Sequence, residues 1–129
     1  MSKGRILIIE DNMDNYELVR FFLERYGYET FLAATGAEGV QAALKQLPDL
    51  ALVDLALPLM DGWDVSRRIK SDPRTAHIPL IAVTARTQLI DRQRALEAGC
   101  EDYIPKPIDF STLLIAVERA IQKTRRTQI

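Results

Sequence analysis

Five short, largely apolar segments alternate along the chain with longer segments whose apolar residues recur at helical spacing. The short segments lie at 6–9, 28–33, 49–54, 79–84 and 102–104. Continuous apolar runs with β-branched residues are typical of strands that are buried on both faces of a parallel sheet. The pattern therefore predicts five strands, one in each segment.

The segments between the strands predict helices with identifiable ends. The first helix begins near Asp14 and closes at Gly27, with one apolar face made of Leu18, Val19, Phe22 and Tyr26. Thr35 is placed to cap the second helix, and Glu38 stands three residues later, as a capping box prefers. The apolar positions of this second helix are Val40, Ala43, Leu44 and Leu47.

Three more helices follow the same periodicity. The third runs through Val65 and Ile69 and ends before Pro73, and the fifth starts near 109–111. The fourth stops at Gly99, with its apolar positions at Ile90, Ala95 and Leu96. The fifth carries its apolar positions at Leu113, Leu114, Val117 and Ile121, and we expect the basic residues 123–126 to form a frayed, solvated end.

Strand and helix alternate five times, which predicts an α/β fold with helices on both faces of a parallel sheet. The length of 129 residues indicates one domain over 1–129. A net charge of -1 gives no electrostatic argument for nucleic acid or an anionic membrane as partner. No signal-peptide layout and no apolar run of the ~20 residues needed to span a membrane occurs, so we predict a cytoplasmic protein.

Polar residues follow the predicted strands at the edge where a parallel sheet holds its functional crevice. Glu10 and Asp11 end the first strand, Asp54 the third and Thr84 the fourth, and Lys106 follows the fifth. Clustered carboxylates repel one another and need a cation, and oxygen ligands of this kind suit Mg²⁺. Lysine and threonine can contact the oxygens of a phosphoryl group bridged to the metal.

These residues lie in five short motifs whose order and spacing are specific, although each motif is weak alone. The motifs are Ile-Ile-Glu-Asp-Asn at 8–12, Leu-Val-Asp-Leu at 52–55, Pro-Leu-Met-Asp-Gly at 58–62, Val-Thr-Ala at 83–85 and Tyr-Ile-Pro-Lys-Pro at 103–107. Together they resemble the receiver domain of two-component response regulators, and the likeness covers essentially the whole chain. The resemblance implies a flavodoxin-like, doubly wound sheet of five strands in the order 2-1-3-4-5 with five helices.

The resemblance also implies a phosphorylation site. Asp54 would accept a phosphoryl group from a sensor histidine kinase or a histidine phosphotransfer protein. Asp11, Asp54 and the carbonyl of Ala56 would bind Mg²⁺ or Mn²⁺, and Glu10 would act through a metal-bound water. Thr84 and Lys106 would contact the phosphoryl oxygens.

Further roles follow from the same likeness. The Lys106–Pro107 bond would be cis, and the rotamer of Tyr103 would follow phosphorylation together with Thr84. The changed surface, formed by the fourth helix, the fifth strand and the fifth helix, would bind a downstream protein. Ala56 and Arg86 lie at the positions that tune the lifetime of the phosphoryl group. The chain would then be a stand-alone regulator and a phosphoprotein, not an enzyme.

Two alternatives stay open at this point. A receiver-like module can bind partners without phosphorylation, although all five site residues are present here. A haloacid-dehalogenase-type phosphatase also uses a strand-end aspartate with Mg²⁺, but it normally has a second acid two residues later, where this chain has Ala56.

Overall fold

Ten alternating strands and helices build the fold in a computed structural model that describes residues 2–57, 59–85 and 89–127. The strands are β1 Arg5–Ile9, β2 Glu29–Ala33, β3 Leu50–Val53, β4 Leu80–Thr84 and β5 Asp102–Pro105. The helices are α1 Met13–Arg25, α2 Gly36–Gln46, α3 Gly62–Ser71, α4 Leu89–Glu97 and α5 Phe110–Thr127. Neighbouring strands pair in parallel in the order β2-β1-β3-β4-β5, so the predicted fold class and strand order are confirmed.

Two apolar layers lie on opposite faces of this sheet. Successive side chains of a strand point to opposite faces, so Leu7 and Ile9 belong to one layer and Ile6 and Ile8 to the other. The layer that contains Leu7 packs against α2, α3 and α4, and the layer that contains Ile6 packs against α1 and α5. The strands are therefore buried on both faces, as their continuous apolar runs predict.

The helix ends follow the local signals in the sequence. The Glu38 N–H donates to Thr35 Oγ1 at 3.1 Å, and Glu38 Oε2 accepts from the Ala34 N–H at 3.0 Å. Gly27 (φ +94°) and Gly99 (φ +102°) follow α1 and α4 in the left-handed region that favours glycine. Capping depends on residues close together in the chain, so these helix ends can be predicted from the sequence.

The prediction of the buried faces of α1 and α4 was partly wrong. The buried residues of α1 are Tyr16, Val19 and Leu23, whereas Leu18 is exposed. Positions 16, 19 and 23 form one stripe, and Leu18 lies about 100° around the helix from Val19. In α4 only Ala95 is buried. Ile90 and Leu96, which were predicted to face the core, are exposed.

The basic residues 123–126 are helical, so the prediction of a frayed end was wrong. They belong to α5, which continues to Thr127. The guanidinium of Arg125 donates to the carbonyl of Lys3 at 2.7 Å and ties the end of this helix to the start of the chain. Within the described ranges, no helix has both the length and the apolar character needed to cross a membrane.

The start of α3 is pressed against the backbone that follows β3. Asp61 caps the helix by accepting from the Trp63 N–H at 2.9 Å, and the Gly62 N–H donates to the Leu55 carbonyl at 3.3 Å. A Cβ atom on Gly62 would lie 2.5 Å from both the Asp54 carbonyl oxygen and Leu55 Cα. Only glycine permits this approach without moving the backbone.

We expect Gly62→Ala to lower the free energy of unfolding by about 1–3 kcal/mol, although alanine is the better helix former. Chemical denaturation of both proteins measures this difference. Gly4→Ala is the matched control, because its Cβ would meet the end of the Ile121 side chain at 3.2 Å rather than backbone atoms. Equal losses in the two variants would contradict the role given to Gly62.

Candidate functional site

The carboxyl ends of β1 and β3 bring three carboxylates together. The Asp54 N–H donates to the Ile9 carbonyl at 3.0 Å, which places Asp54 level with the end of β1. One carboxylate oxygen each from Glu10, Asp11 and Asp54 lies within 4.8 Å of the others. Glu10 and Asp54 are only 6% and 7% exposed, whereas Asp11 is exposed. The structure therefore forms the acidic cluster that the strand ends predict.

Lys106 joins this cluster from the far end of the chain. Its N–H donates to the Thr84 carbonyl at 2.9 Å, which holds it at the end of β4. Its Nζ donates to Glu10 Oε1 at 2.7 Å and to Asp54 Oδ2 at 3.0 Å. One ammonium thus faces three carboxylates, and the group keeps a net negative charge that favours a bound cation.

Burial and the neighbouring charges together shift the pKa values of Glu10 and Lys106. Burial is the main cause that raises the pKa of Glu10 above its ordinary value; the negative charge of Asp54 adds to it, and Lys106 offsets part of it. Burial alone would lower the pKa of Lys106, but the hydrogen bonds to Glu10 and Asp54 raise it overall. The ammonium is therefore charged at neutral pH, and the ionised form of Glu10 is disfavoured.

Thr84 and Tyr103 occupy neighbouring strands beside the cluster. Thr84 is fully buried at the end of β4, and Tyr103 is half-buried in β5. Tyr103 pairs in register with Ala82, which shares a sheet face with Thr84 because the two are two residues apart. The Tyr103 hydroxyl is buried, and its ring packs against the layer beneath α2, α3 and α4.

Among the remaining predicted residues, the structure describes Ala56 and Pro107 but not Arg86. Ala56 is exposed, and its N–H donates to Asp54 Oδ1 at 2.9 Å. The Lys106–Pro107 peptide bond is cis. Arg86 lies outside the described residues, so its role in the phosphoryl lifetime stays a prediction.

Two contacts at this site were missed by sequence reasoning. These are the ion pair of Lys106 with Glu10 and the support of Asp54 by the Ala56 N–H. The charges of residues 10 and 106 were the available signal for the first. The second uses a backbone N–H, which every residue except proline has, so no residue type in the sequence indicates it.

Comparison with known proteins identifies the family. Residues 6–118 match the response regulator receiver domain, and the chain belongs to this family. It is 43% identical to the polar-differentiation response regulator DivK of Brucella ovis over 118 residues, which cover 92% of this chain and 95% of DivK.

A longer relative and a solved structure agree with this assignment. The chain is 38% identical to the DNA-binding dual master transcriptional regulator RpaA of Synechocystis over 95% of its own length, but it spans only 51% of RpaA. The crystal structure of the receiver domain of the sensor histidine kinase PA1611 from Pseudomonas aeruginosa has a TM-score of 0.86 and 34% identity. The match covers 92% of this chain and 98% of that domain, which holds a magnesium ion in its active-site cleft. The chain is thus a receiver domain of a two-component response regulator, which is a signalling protein rather than a classical enzyme.

We expect Glu10→Gln to raise the free energy of unfolding at pH 7 in the absence of divalent cations. The pKa of Glu10 is raised in the fold, so the folded protein holds this proton more tightly than the unfolded chain does. Wild-type stability therefore falls as the pH rises from 4.5 through the folded-state pKa, and the glutamine variant escapes this loss.

Urea denaturation in a chelating buffer, at pH 7 and at lower pH, measures the effect. The advantage of the variant should shrink as the pH is lowered towards 4.5. Glu97→Gln on the exposed side of α4 serves as the control. A glutamine variant that is less stable than wild type at pH 7 would show that the ion pair with Lys106 outweighs burial.

Proposed function

We propose that this chain is a phosphorylation-dependent response regulator whose Asp54 accepts a phosphoryl group from a sensor histidine kinase or histidine phosphotransfer protein. The observation that carries the proposal is the position of the Asp54 carboxylate, which lies at the sheet edge between Glu10, Asp11 and Lys106. In the transfer, the bond between phosphorus and the donor's imidazole nitrogen breaks, and a bond between phosphorus and an Asp54 oxygen forms.

The carboxylate cluster fits Mg²⁺ or Mn²⁺, since hard divalent cations prefer oxygen ligands. Asp11, Asp54 and the Ala56 carbonyl would hold the ion, with Glu10 acting through water. When bound, the ion neutralises negative charge on the carboxylates and on the incoming phosphoryl group. The magnesium ion in the related PA1611 receiver domain supports this part of the proposal.

The side chains around Asp54 have complementary tasks in this proposal. Lys106 neutralises a phosphoryl oxygen and needs only to shift from the carboxylates that it already contacts. The Thr84 hydroxyl donates a hydrogen bond to another phosphoryl oxygen. Ala56 offers no polar side chain beside the acyl phosphate, and with Arg86 it would set how readily water reaches the phosphorus.

The output would be a change in a protein-binding surface. The movement of Thr84 towards the phosphoryl group would open space for the Tyr103 ring and alter the surface of α4, β5 and α5. Such a coupling is typically worth about 1–3 kcal/mol, or roughly 5–150-fold in partner affinity. Family membership supports this proposal over the haloacid-dehalogenase alternative. Action as a single domain over 1–129 in the cytoplasm, without direct contact to nucleic acid or membrane, is part of the same proposal.

Asp54→Asn should abolish the acid-labile phosphoryl adduct that forms with Mg²⁺ and acetyl phosphate, because the amide cannot accept the group. Mass spectrometry of the intact protein detects the adduct. Asp11→Asn should weaken Mg²⁺ binding by about tenfold or more, since it removes one full charge from the cluster. Asp102→Asn is the matched control, because Asp102 begins β5 and so lies at the amino ends of the strands, away from the carboxylate cluster.

Undiminished labelling of Asp54→Asn would disprove the acceptor assignment. A wild-type chain that binds Mg²⁺ but is never labelled would instead favour the receiver-like module that acts without phosphorylation.

Thr84→Ala should still accept a phosphoryl group at Asp54 but lose most of the structural response. We expect beryllofluoride, a phosphoryl mimic, to shift the amide NMR signals of α4 and β5 in wild type and in Thr84→Ser. The shifts should be largely absent in Thr84→Ala, because it lacks the hydroxyl that senses the phosphoryl oxygen. Equal shifts in all three proteins would refute the proposed coupling of the Thr84 hydroxyl to the surface of α4 and β5.

A further inference from the structure

Leu59, in the connection between β3 and α3, combines two unfavourable features. Its φ of +67° lies in the left-handed region, where a Cβ atom crowds the backbone. Its side chain is fully exposed, at 105% of the reference area. A glycine or asparagine would make the same turn more readily. The fold therefore requires a left-handed residue here, but it does not require leucine.

Leu47 provides the internal comparison. It is also left-handed, with a φ of +46°, and it is half exposed. Leu47 caps the end of α2, where its N–H donates to the Ala43 carbonyl at 3.1 Å. It precedes β3, so it lies at the amino edge of the sheet, away from Asp54. The two leucines thus share a left-handed backbone, but Leu47 is less exposed and lies at the opposite end of the strands from Asp54.

Leu59 belongs to a set of exposed apolar residues around the acceptor edge. They lie at or just before the starts of three helices that follow the carboxyl ends of the strands: Met13 begins α1, Leu59 precedes α3, and Leu89 and Ile90 begin α4. We call these four residues the apolar rim. Exposed apolar residues that surround a functional site are typical of a surface that a protein partner covers. The Asp54 carboxylate at the centre is buried, so a phosphodonor must approach from this same edge.

We propose that Leu59 is a contact residue for the protein that donates the phosphoryl group, and that it packs against an apolar surface beside the donor's phosphohistidine. This inference rests on the proposed function and adds a determinant of the donor to it. A small donor such as acetyl phosphate has no apolar surface that could cover Leu59. A protein donor, by contrast, is large enough to reach Asp54 with its phosphohistidine and to cover Leu59 at the same time.

Charge argues against two other occupants of the apolar rim. A second copy of the chain, docked face to face, would bring two clusters of Glu10, Asp11 and Asp54 together and repel. An anionic lipid surface would meet the same negative charge. A phosphohistidine donor instead delivers its group to Asp54, beside the positive charge of Lys106.

The test compares two phosphodonors on Leu59→Asn, a variant that keeps the left-handed turn and removes the apolar side chain. One donor is acetyl phosphate with Mg²⁺. The other is the purified autophosphorylated histidine kinase of the source organism that labels the wild-type chain fastest. We expect kcat/KM with the kinase to fall about tenfold or more, mainly through KM, because a buried contact is lost. The rate with acetyl phosphate should match that of wild type.

Leu47→Asn is the matched control and should change neither rate. Equal losses with both donors would overturn the proposal, since Leu59 would then act on the site itself. An unchanged rate with the kinase would also overturn it. If, in that case, the wild-type chain sedimented as a dimer and Leu59→Asn as a monomer, the apolar rim would be assigned to a second copy.

The proposed function and this inference fail in different ways. A wild-type chain that acetyl phosphate labels, but that no histidine kinase or histidine phosphotransfer protein labels, would overturn the inference and leave Asp54 as an acceptor. A wild-type chain that neither donor labels would overturn both.

Discussion

The electrostatic balance at the carboxyl edge of the sheet is the constraint on which the rest of the structure depends. Three carboxylates converge there, and Lys106 Nζ bridges two of them, Glu10 and Asp54. Glu10 and Lys106 are 96 residues apart in the chain, so this contact ties the connection after β5 to the end of β1. The strand order makes it possible, because β1 and β3 are neighbours and β4 and β5 follow beside them.

Asp54, the proposed acceptor, stands on a rigid part of the fold. The Asp54 N–H is held by the Ile9 carbonyl, its carboxylate accepts from the Ala56 N–H, and Gly62 packs directly on its backbone. A functional side chain whose backbone is held in place keeps its geometry when partners bind and dissociate. The burial that raises the pKa of Glu10 works against stability here, as is common where a site is built for binding.

The helix α4 is held much less firmly than Asp54. Among its residues only Ala95 is buried, and Leu89, Ile90 and Leu96 are exposed. The Arg94 guanidinium lies 4.9 Å from the centre of the Trp63 ring and links α4 to α3. An element with few buried side chains opens at low cost in free energy, which suits the responsive surface proposed for α4. The proposed function thus assigns the reaction to the firmly held Asp54 and the response to the loosely held α4.

Local pattern in the sequence determined the five strands, the helix caps at Thr35 and the glycines, and the positions of the site residues at strand ends. These features depend on neighbours in the chain, so periodicity and residue type suffice. The strand order came from family resemblance, since alternation alone permits several topologies. Only the tertiary structure decided the exposure of Leu18 and Ile90, the helical state of 123–126, the ion pair of Lys106 with Glu10 and the left-handed turn at Leu59. Each of these depends on which distant segments pack together, and packing over many residues is not encoded in any short stretch of sequence.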